Sequence, residues 1–142
     1  MSQAKTKRTC IGLVPRLAGI GGPASFQSRL IAGLAKRGVE VTYNLDDPDC
    51  TTVLVVGGSS RLDQLWRARQ RGLRIVQRLN GMNWVHRVRS TGWRHTLRSE
   101  ANNRILATIR ARLAHQIIYQ SEFSKDWWER VYGRMAKADT VV

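Results

Sequence analysis

Short apolar runs that alternate with segments of helical periodicity constrain the fold of this chain more than any other sequence feature. The runs have the length of strands, and they lie at residues 9–14, 39–43, 52–56, 74–79 and 116–120. Strands that are separated by single helices require crossover connections, which favour parallel pairing. We therefore predict an α/β fold, with a Rossmann-like, open and mainly parallel sheet that has helices on both faces.

Helical segments are predicted between these strands. The first runs from Pro23 to Arg37, because proline suits the first helical position and Gly38 suits the position after the last. The second is expected to begin at a capping box formed by Ser60 and Asp63. The third is long and carries an apolar stripe at i,i+4 spacing: Leu97, Ala101, Ile105, Ile109 and Leu113.

A last helix is predicted after the strand at residues 116–120. Phe123 and Trp128 flank Ser124 with the spacing of a hydrophobic staple, which makes Ser124 the expected N-cap. Trp127 and Trp128 are then interpreted as packing residues rather than as a surface that stacks on a sugar.

The 142 residues of the chain correspond to one domain. The basic start precedes an apolar stretch that ends at residue 14, which is too short for a secretory signal, and no run approaches the ~18 apolar residues of a membrane span. We therefore expect a cytoplasmic protein. Cys10 and Cys50 are interpreted as small buried hydrophobes, and neither a metal nor a cofactor is expected, since no metal-binding spacing surrounds them.

The charge balance indicates a polyanionic partner. The chain has 24 Lys and Arg against 10 Asp and Glu, a formal net charge of +14. Such a protein attracts nucleic acid, phosphoryl groups or an anionic membrane surface, and the charge does not choose among them. The densest basic cluster, in which Trp84 and Trp93 are interleaved, comprises Arg87, Arg89, Arg94 and Arg98. It predicts a grip on a lipid-linked phosphate, a peripheral membrane contact or RNA, with a solvated surface as the alternative.

The loops after the strands are the expected binding elements, because ligands of parallel sheets bind beyond the carboxyl ends of the strands. The first of these loops contains Gly19, Gly21 and Gly22, which allow backbone amides to approach an anion. Its sequence is neither the dinucleotide fingerprint nor a P-loop. The alternative is that these glycines permit a tight turn from strand to helix.

The segment at residues 80–92 has no clear periodicity. His86 is its best-placed titratable group, so we treat it as a candidate catalytic residue, with simple exposure as the alternative. Asn80 and Gly81 also form a strong signal for a two-residue β-hairpin turn. His95 and His115 are interpreted as structural.

Several motifs in order along the chain carry a family resemblance: Gly21-Gly22-Pro23 after the first strand, residues 34–41, and residues 119–125. Together they resemble the amino-terminal domain of glycosyltransferase family 4 enzymes, which have the GT-B fold of two Rossmann-like domains. Residues 78–84 resemble the segment after the fourth strand in a bacterial branch of that family. Asp is expected there in place of Asn80, so an acid role at this position is not implied.

The resemblance implies that residues 1–142 are the acceptor-side half of a retaining enzyme, which transfers a sugar from a nucleotide-diphosphate sugar to an acceptor. Gly21 and Gly22 would face the donor phosphates. The acceptor pocket would be lined by residues of the loop after the fourth strand: Asn80, Gly81, Asn83 and Trp84. The donor-binding domain of the family, with its paired Glu motif, has no counterpart in this sequence, so this half is expected to be inactive by itself.

Two other functions stay open at this point. The chain could be a stand-alone basic α/β module that binds nucleic acid. No signature of the common RNA-recognition modules is present, so we expect nucleic-acid binding to be weak and nonspecific. The chain could also be a non-catalytic half that docks a separate donor domain.

Overall fold

Six parallel strands form one open sheet in the computed structural model, which describes residues 8–142. The basic residues 1–7, which were considered above as the start of a signal, lie outside the described range. The strands are β1 (Cys10–Val14), β2 (Glu40–Thr42), β3 (Cys50–Val56), β4 (Arg74–Leu79), β5 (Gln116–Tyr119) and β6 (Ala138–Val141). Their order is β2-β1-β3-β4-β5-β6, and every neighbouring pair is parallel. The predicted α/β fold is confirmed.

Helices connect most of these strands. They are α1 (Gly22–Lys36), α2 (Leu62–Gln70), α3 (Val85–Val88), α4 (Trp93–Thr108) and α5 (Glu122–Tyr132), and α4 continues into a π-helical segment, Ile109–Leu113. No helix within residues 8–142 is long and apolar enough to cross a membrane.

The direction of the crossovers divides the helices between the two faces of the sheet. The chain moves from β1 to β2 in one direction and from β3 to β6 in the other, so right-handed connections place α1 opposite α2, α4 and α5. The three-helix face holds the apolar core. Its fully buried members include Val53, Val55, Ile75, Ile117 and Trp128.

The other face, the one-helix face, is covered by α1 alone. The one buried residue of α1 is the polar Gln27, while Leu30, Ile31 and Leu34 are half-buried. The Arg78 guanidinium of β4 lies on this face, 3.9 Å above the ring centroid of Phe26. This contact ties α1 to the middle of the sheet.

The connection from β2 to β3 has no helix. Parallel crossovers normally need a dozen or more residues, but residues 43–49 pass across β1 in seven. Buried Leu45 lies so close to β1 that a Cβ atom at Gly12 would be 2.8 Å from Leu45 Cδ2 and 3.1 Å from Cys50 Sγ. Glycine at position 12 therefore makes room for the short crossover.

Several local predictions are wrong. Ser121 is the N-cap of α5, since its Oγ accepts a hydrogen bond from the Ser124 N–H at 3.2 Å, and Phe123 is largely exposed. Residues 80 and 81 begin a loop that leads into α3 and do not form a β-hairpin.

The predicted capping box is wrong, and the predicted apolar stripe is confirmed only in its second half, where Ile105, Ile109 and Leu113 pack in the core. Arg61 is the N-cap residue of α2, without a side-chain cap. The first turns of α4 bury Ser99 and Asn103, whereas Leu97 and Ala101 are exposed. The amino-terminal half of α4 is held by polar contacts with the loop after β4, so burial there does not follow the apolar stripe.

The prediction that Cys10, Cys50 and Trp128 are packing residues is confirmed. Both thiols are free and buried, and burial raises the pKa of each. Trp128 is completely buried and stacks on Tyr132 at a ring separation of 5.3 Å.

Candidate functional site

The carboxyl ends of the strands bring the predicted binding loops to one edge of the sheet. Because β1, β3, β4 and β5 are parallel, the loops that begin at residues 15, 57, 80 and 120 all leave from this edge. The chain turns in opposite directions after β1 and after β3, which makes the gap between these neighbouring strands the topological switch point of the sheet. Ligands of open parallel sheets bind at such points.

A pocket of about 430 Å³ opens at the switch point. Its polar lining comes from three separate loops of the chain and from the first turn of α2: Arg16, Tyr43, Ser59, Ser60, Arg61 and Gln64. The Arg16 guanidinium lies 5.0 Å from the ring centroid of Tyr43. Ser59 Oγ accepts a hydrogen bond from the Arg61 N–H at 3.2 Å. The switch-point pocket therefore combines hydroxyls, backbone amides and two guanidinium groups.

Gln27 of α1 holds the start of the loop after β1 in place through two hydrogen bonds. Its Oε1 accepts a hydrogen bond from the Leu17 N–H at 3.0 Å, and its Nε2 donates to the Pro15 carbonyl at 2.8 Å. Gln27 is 2% exposed, so these two hydrogen bonds form away from solvent, where the loop begins. Gln27 thus fixes residues 15–17, which border the switch-point pocket.

Gly21 and Gly22 lie at the exposed amino-terminal end of α1. The Gly21 carbonyl accepts a hydrogen bond from the Ser25 N–H at 2.9 Å, and a Cβ atom on either glycine would meet nothing within 4 Å. Packing therefore does not require glycine at these two positions. Gly19 differs, because its φ of +104° is one that other residues rarely adopt.

Asn80 fastens the loop after β4 to both faces of the sheet. Its Oδ1 accepts a hydrogen bond from Arg78 Nη1 at 2.7 Å, and its carbonyl accepts one from Trp128 Nε1 at 2.9 Å. Arg78 in turn lies over Phe26 of α1, and its burial lowers the pKa of the guanidinium. The side chain of Asn80 is therefore committed to a structural contact, while Gly81 beside it is exposed.

Asn83 is attached to α4 by a reciprocal pair of hydrogen bonds with Asn103. The Asn83 N–H donates to Asn103 Oδ1 at 3.1 Å, and Asn103 Nδ2 donates to the Asn83 carbonyl at 2.9 Å. This leaves the Asn83 side chain free to line a second pocket of about 640 Å³ along α4. The remaining lining residues of this α4 pocket are His95, Arg98, Ser99, Ala101, Asn102 and Ile105.

The two pockets adjoin at Gly58, which lines the switch-point pocket. A Cβ atom at Gly58 would lie 2.7 Å from Leu106 Cδ2 and 3.6 Å from Ile105 Cγ2, and Ile105 lines the α4 pocket. The loop after β3 and the helix α4 therefore meet between the pockets, and one binding edge runs from Arg16 to Arg98.

His86, the candidate catalytic residue, lines neither pocket. Its side chain is 2% exposed, and its Nε2 lies 2.6 Å from Glu100 Oε1. Arg87 donates to both oxygens of Glu100, at 2.9 Å and 3.1 Å. These contacts lower the pKa of the Glu100 carboxyl to about 2, with the Arg87 hydrogen bonds as the main cause. The structure thus places His86 in a network that joins α3 to α4.

The predicted basic cluster is divided by this network. Arg87 is paired with Glu100, whereas no carboxylate of the described residues lies within ion-pair distance of Arg89, Arg94 or Arg98. The Arg94 guanidinium lies 5.2 Å from the ring centroid of exposed Trp93. Arg98 reaches the α4 pocket, whereas Trp84, in the loop between β4 and α3, is half-exposed and lines neither pocket.

Sequence reasoning missed several residues of the binding edge. Tyr43 and Gln64 reach the switch-point pocket from a loop and a helix that the sequence separates, and Asn102 reaches the α4 pocket. Ser59 and Arg61 did carry a signal, since they follow Gly58 at the carboxyl end of a predicted strand. Among the described residues, no group of three or more His, Cys, Asp or Glu side chains is placed to hold a metal ion.

No protein-family model, curated protein or solved structure matches this chain.

Proposed function

We propose that these residues form the acceptor-side half of a retaining glycosyltransferase that uses a nucleotide-diphosphate sugar. The observation that carries the proposal is the pair of adjoining pockets at the carboxyl edge, one of them at the switch point. Two adjoining pockets suit a reaction in which a donor and an acceptor must meet. The family resemblance of residues 21–23, 34–41 and 119–125 supports the same function.

The switch-point pocket is assigned to the donor side. Its guanidinium groups, Arg16 and Arg61, offer paired donors to phosphate oxygens, and the hydroxyls of Ser59 and Ser60 add neutral donors. The open amino-terminal end of α1, which follows the same loop as Arg16, favours negative charge. In the proposed enzyme the diphosphate lies between this edge and a second domain, which supplies most contacts to the nucleotide.

The α4 pocket is assigned to the acceptor. Asn83 and Asn102 offer amide groups to hydroxyls, and Arg98 offers a charged group to an acidic substituent. The buried His86 side chain does not line this pocket. His86 and Glu100 are instead positioning residues, since their contact holds α3 against α4. The proposal therefore does not give His86 a catalytic role, because His86 would make no direct contact with the substrate.

The donor proposal is tested by titrating the isotope-labelled 142-residue chain with UDP-glucose, GDP-mannose and inorganic pyrophosphate, and recording backbone amide shifts by NMR. We expect the largest shifts at residues 57–61 and 16–22. Arg61→Ala should weaken binding about tenfold, at 1.5 kcal/mol or more for a charged hydrogen bond. Arg112→Ala, which removes the same charge at the other end of the sheet, is the control.

Shifts that are absent at saturating ligand, or that are centred outside the carboxyl edge, would contradict the donor assignment. Transfer of labelled sugar by the purified chain alone would contradict the assignment to half of an enzyme, since the proposal places most contacts to the nucleotide on a second domain. A non-catalytic half that docks a separate donor domain predicts the same shifts, and it differs from the leading proposal only in that the second domain is another chain.

The nucleic-acid alternative predicts a different behaviour. Binding to DNA or RNA through about six phosphates would lose about 10³ in affinity between about 50 and 200 mM salt. We expect weak binding without sequence preference at about 150 mM salt. Sequence-selective binding in the submicromolar range under these conditions would replace the glycosyltransferase proposal.

A further inference from the structure

Large apolar side chains are exposed together where α3 leads into α4, a region that we call the α3–α4 corner (residues 84–98). Trp84 is 43% exposed, Val88 69%, Trp93 69% and Leu97 61%. Trp84 immediately precedes α3, which ends at Val88, and Trp93 and Leu97 are one helical turn apart on α4. Four such residues occur within fifteen positions, on or beside two helices that Glu100 joins, and exposed apolar side chains concentrated in this way are typical of interaction surfaces.

The two short apolar pairs are held together by the Glu100 network. His86 and Arg87 of α3 both contact the Glu100 carboxylate of α4, at 2.6 Å and 2.9 Å. The ion pair between Arg87 and Glu100 therefore holds α3 against α4 and fixes the structure of the corner. The same network uses Glu100, which is the acidic residue closest to the patch in the sequence.

Apart from Arg87, which is paired with Glu100, the arginines of the corner carry positive charge that no nearby carboxylate neutralises. No Asp or Glu occurs in the sequence between Asp63 and Glu100. Arg89, Arg94 and Arg98 have no carboxylate of the described residues within ion-pair distance. Arginines that flank exposed tryptophans are typical of surfaces that bind at the headgroup level of a bilayer, where the indole rings lie at the boundary of water and lipid.

We propose that the α3–α4 corner docks on the surface of an anionic lipid bilayer. The arginines fit a negatively charged headgroup layer, and the four apolar side chains enter the boundary below it. Aliphatic Val88 and Leu97 favour this partner over nucleic acid, because they offer nothing on which a base can stack. Docking in this way would bring the opening of the α4 pocket, through Arg98, next to the membrane.

Vesicle cosedimentation tests the charge component. The full chain should bind vesicles that contain phosphatidylglycerol in phosphatidylcholine much more tightly than vesicles of phosphatidylcholine alone, and high salt should weaken this binding. The double variant Arg89→Ala, Arg94→Ala should lose about 25-fold in partition coefficient, since each basic residue near the surface contributes about fivefold. The control variant Arg37→Ala, Arg112→Ala removes the same charge elsewhere and should bind more tightly than the corner variant.

The apolar component is tested with Trp93→Ser. We expect a loss of about tenfold, because withdrawing about 55 Å² of apolar surface from water corresponds to that factor. Trp66→Ser is the control, since Trp66 is 55% exposed on α2 and lies outside the corner. Both positions are exposed, so both variants should fold, and circular dichroism verifies this.

Equal binding to neutral and anionic vesicles would overturn the proposal, and so would equal losses in the corner variants and their controls. Preferential, submicromolar binding of RNA or DNA through Arg89 and Arg94 would assign the corner to nucleic acid instead. These outcomes are independent of the donor titration, which reports on residues at the switch point.

Discussion

The two faces of the sheet bury different kinds of side chain. The three-helix face buries Ile75, Ile117 and Trp128 completely, together with valines of β3. The one-helix face is covered by α1, whose one buried residue is Gln27. Since apolar burial is the main stabilising term in folding, the three-helix face supplies most of the stability. The one-helix face instead orders a loop, because the Gln27 side chain forms hydrogen bonds with the backbone of residues 15 and 17.

This division indicates where the chain tolerates change. Substitutions on the three-helix face are expected to unfold the protein, whereas substitutions under α1 are expected to alter the binding edge at a smaller cost. We expect the loss of stability to be largest in the core of the three-helix face, smaller at the crossover beside Gly12 and smallest at the α3–α4 corner.

Trp128→Ala should cost about 3–5 kcal/mol of unfolding free energy, because it empties a fully buried site and leaves the Asn80 carbonyl without its donor. Phe26→Ala, under the guanidinium of Arg78 on the one-helix face, should cost about 1–2 kcal/mol. Urea unfolding measures both. Equal losses would mean that the two faces contribute alike, and exposed Trp66→Ala, expected within about 0.5 kcal/mol of the parent, is the control.

Gly12→Ala and Gly33→Ala should have opposite signs. A methyl group at position 12 would lie 2.8 Å from Leu45 Cδ2 in the packed crossover, which predicts a loss of about 1–3 kcal/mol. A methyl group at position 33, within α1, would meet nothing within 4 Å, and alanine is the better helix former by about 0.8–1 kcal/mol. Thermal unfolding of the two variants measures the difference. A stabilised Gly12→Ala variant would show that the crossover is not tightly packed.

Glu100→Gln should have the smallest effect, and a pH-dependent one. The folded protein lowers the pKa of Glu100 from 4.5 to about 2, so its contacts stabilise the fold fully above pH 4.5. This contribution is lost as the pH falls towards 2. The melting temperatures of the variant and the parent should therefore differ at neutral pH and converge in acid. A constant difference across this range would mean that the carboxylate of Glu100 does not stabilise the α3–α4 corner.

Local signals in the sequence were sufficient for five of the six strands and for the longer helices, whereas β6 was not among the predicted strands. The apolar runs before Gly57 and after Gly72 predicted β3 and β4, and Gly38, with a φ of +71°, marks the end of α1 as expected. The capping of α5 was less predictable. Ser121 and Ser124 are both suitable N-cap residues by type, and the staple spacing favoured the wrong one.

Contacts between distant segments could not be predicted in the same way. The approach of Leu45 to Gly12 depends on the position of β1 between β2 and β3, which no local pattern encodes. The pairing of His86 with Glu100 depends on how a four-residue helix lies against α4. The switch-point pocket likewise needs the strand order, because Tyr43 and Gln64 meet there only in this topology.

The sheet order also determines the sequence in which the chain can assemble as it is synthesised. Strands β3, β4 and β5 each pair with the next strand along the chain, so each of these pairings can form once one further strand has been synthesised. Strand β1 pairs with β2 early, but its other neighbour, β3, is made 40 residues after Cys10. Until Val53 and Val55 emerge, a nascent chain therefore lacks the valines that complete the core beside Gly12 of β1.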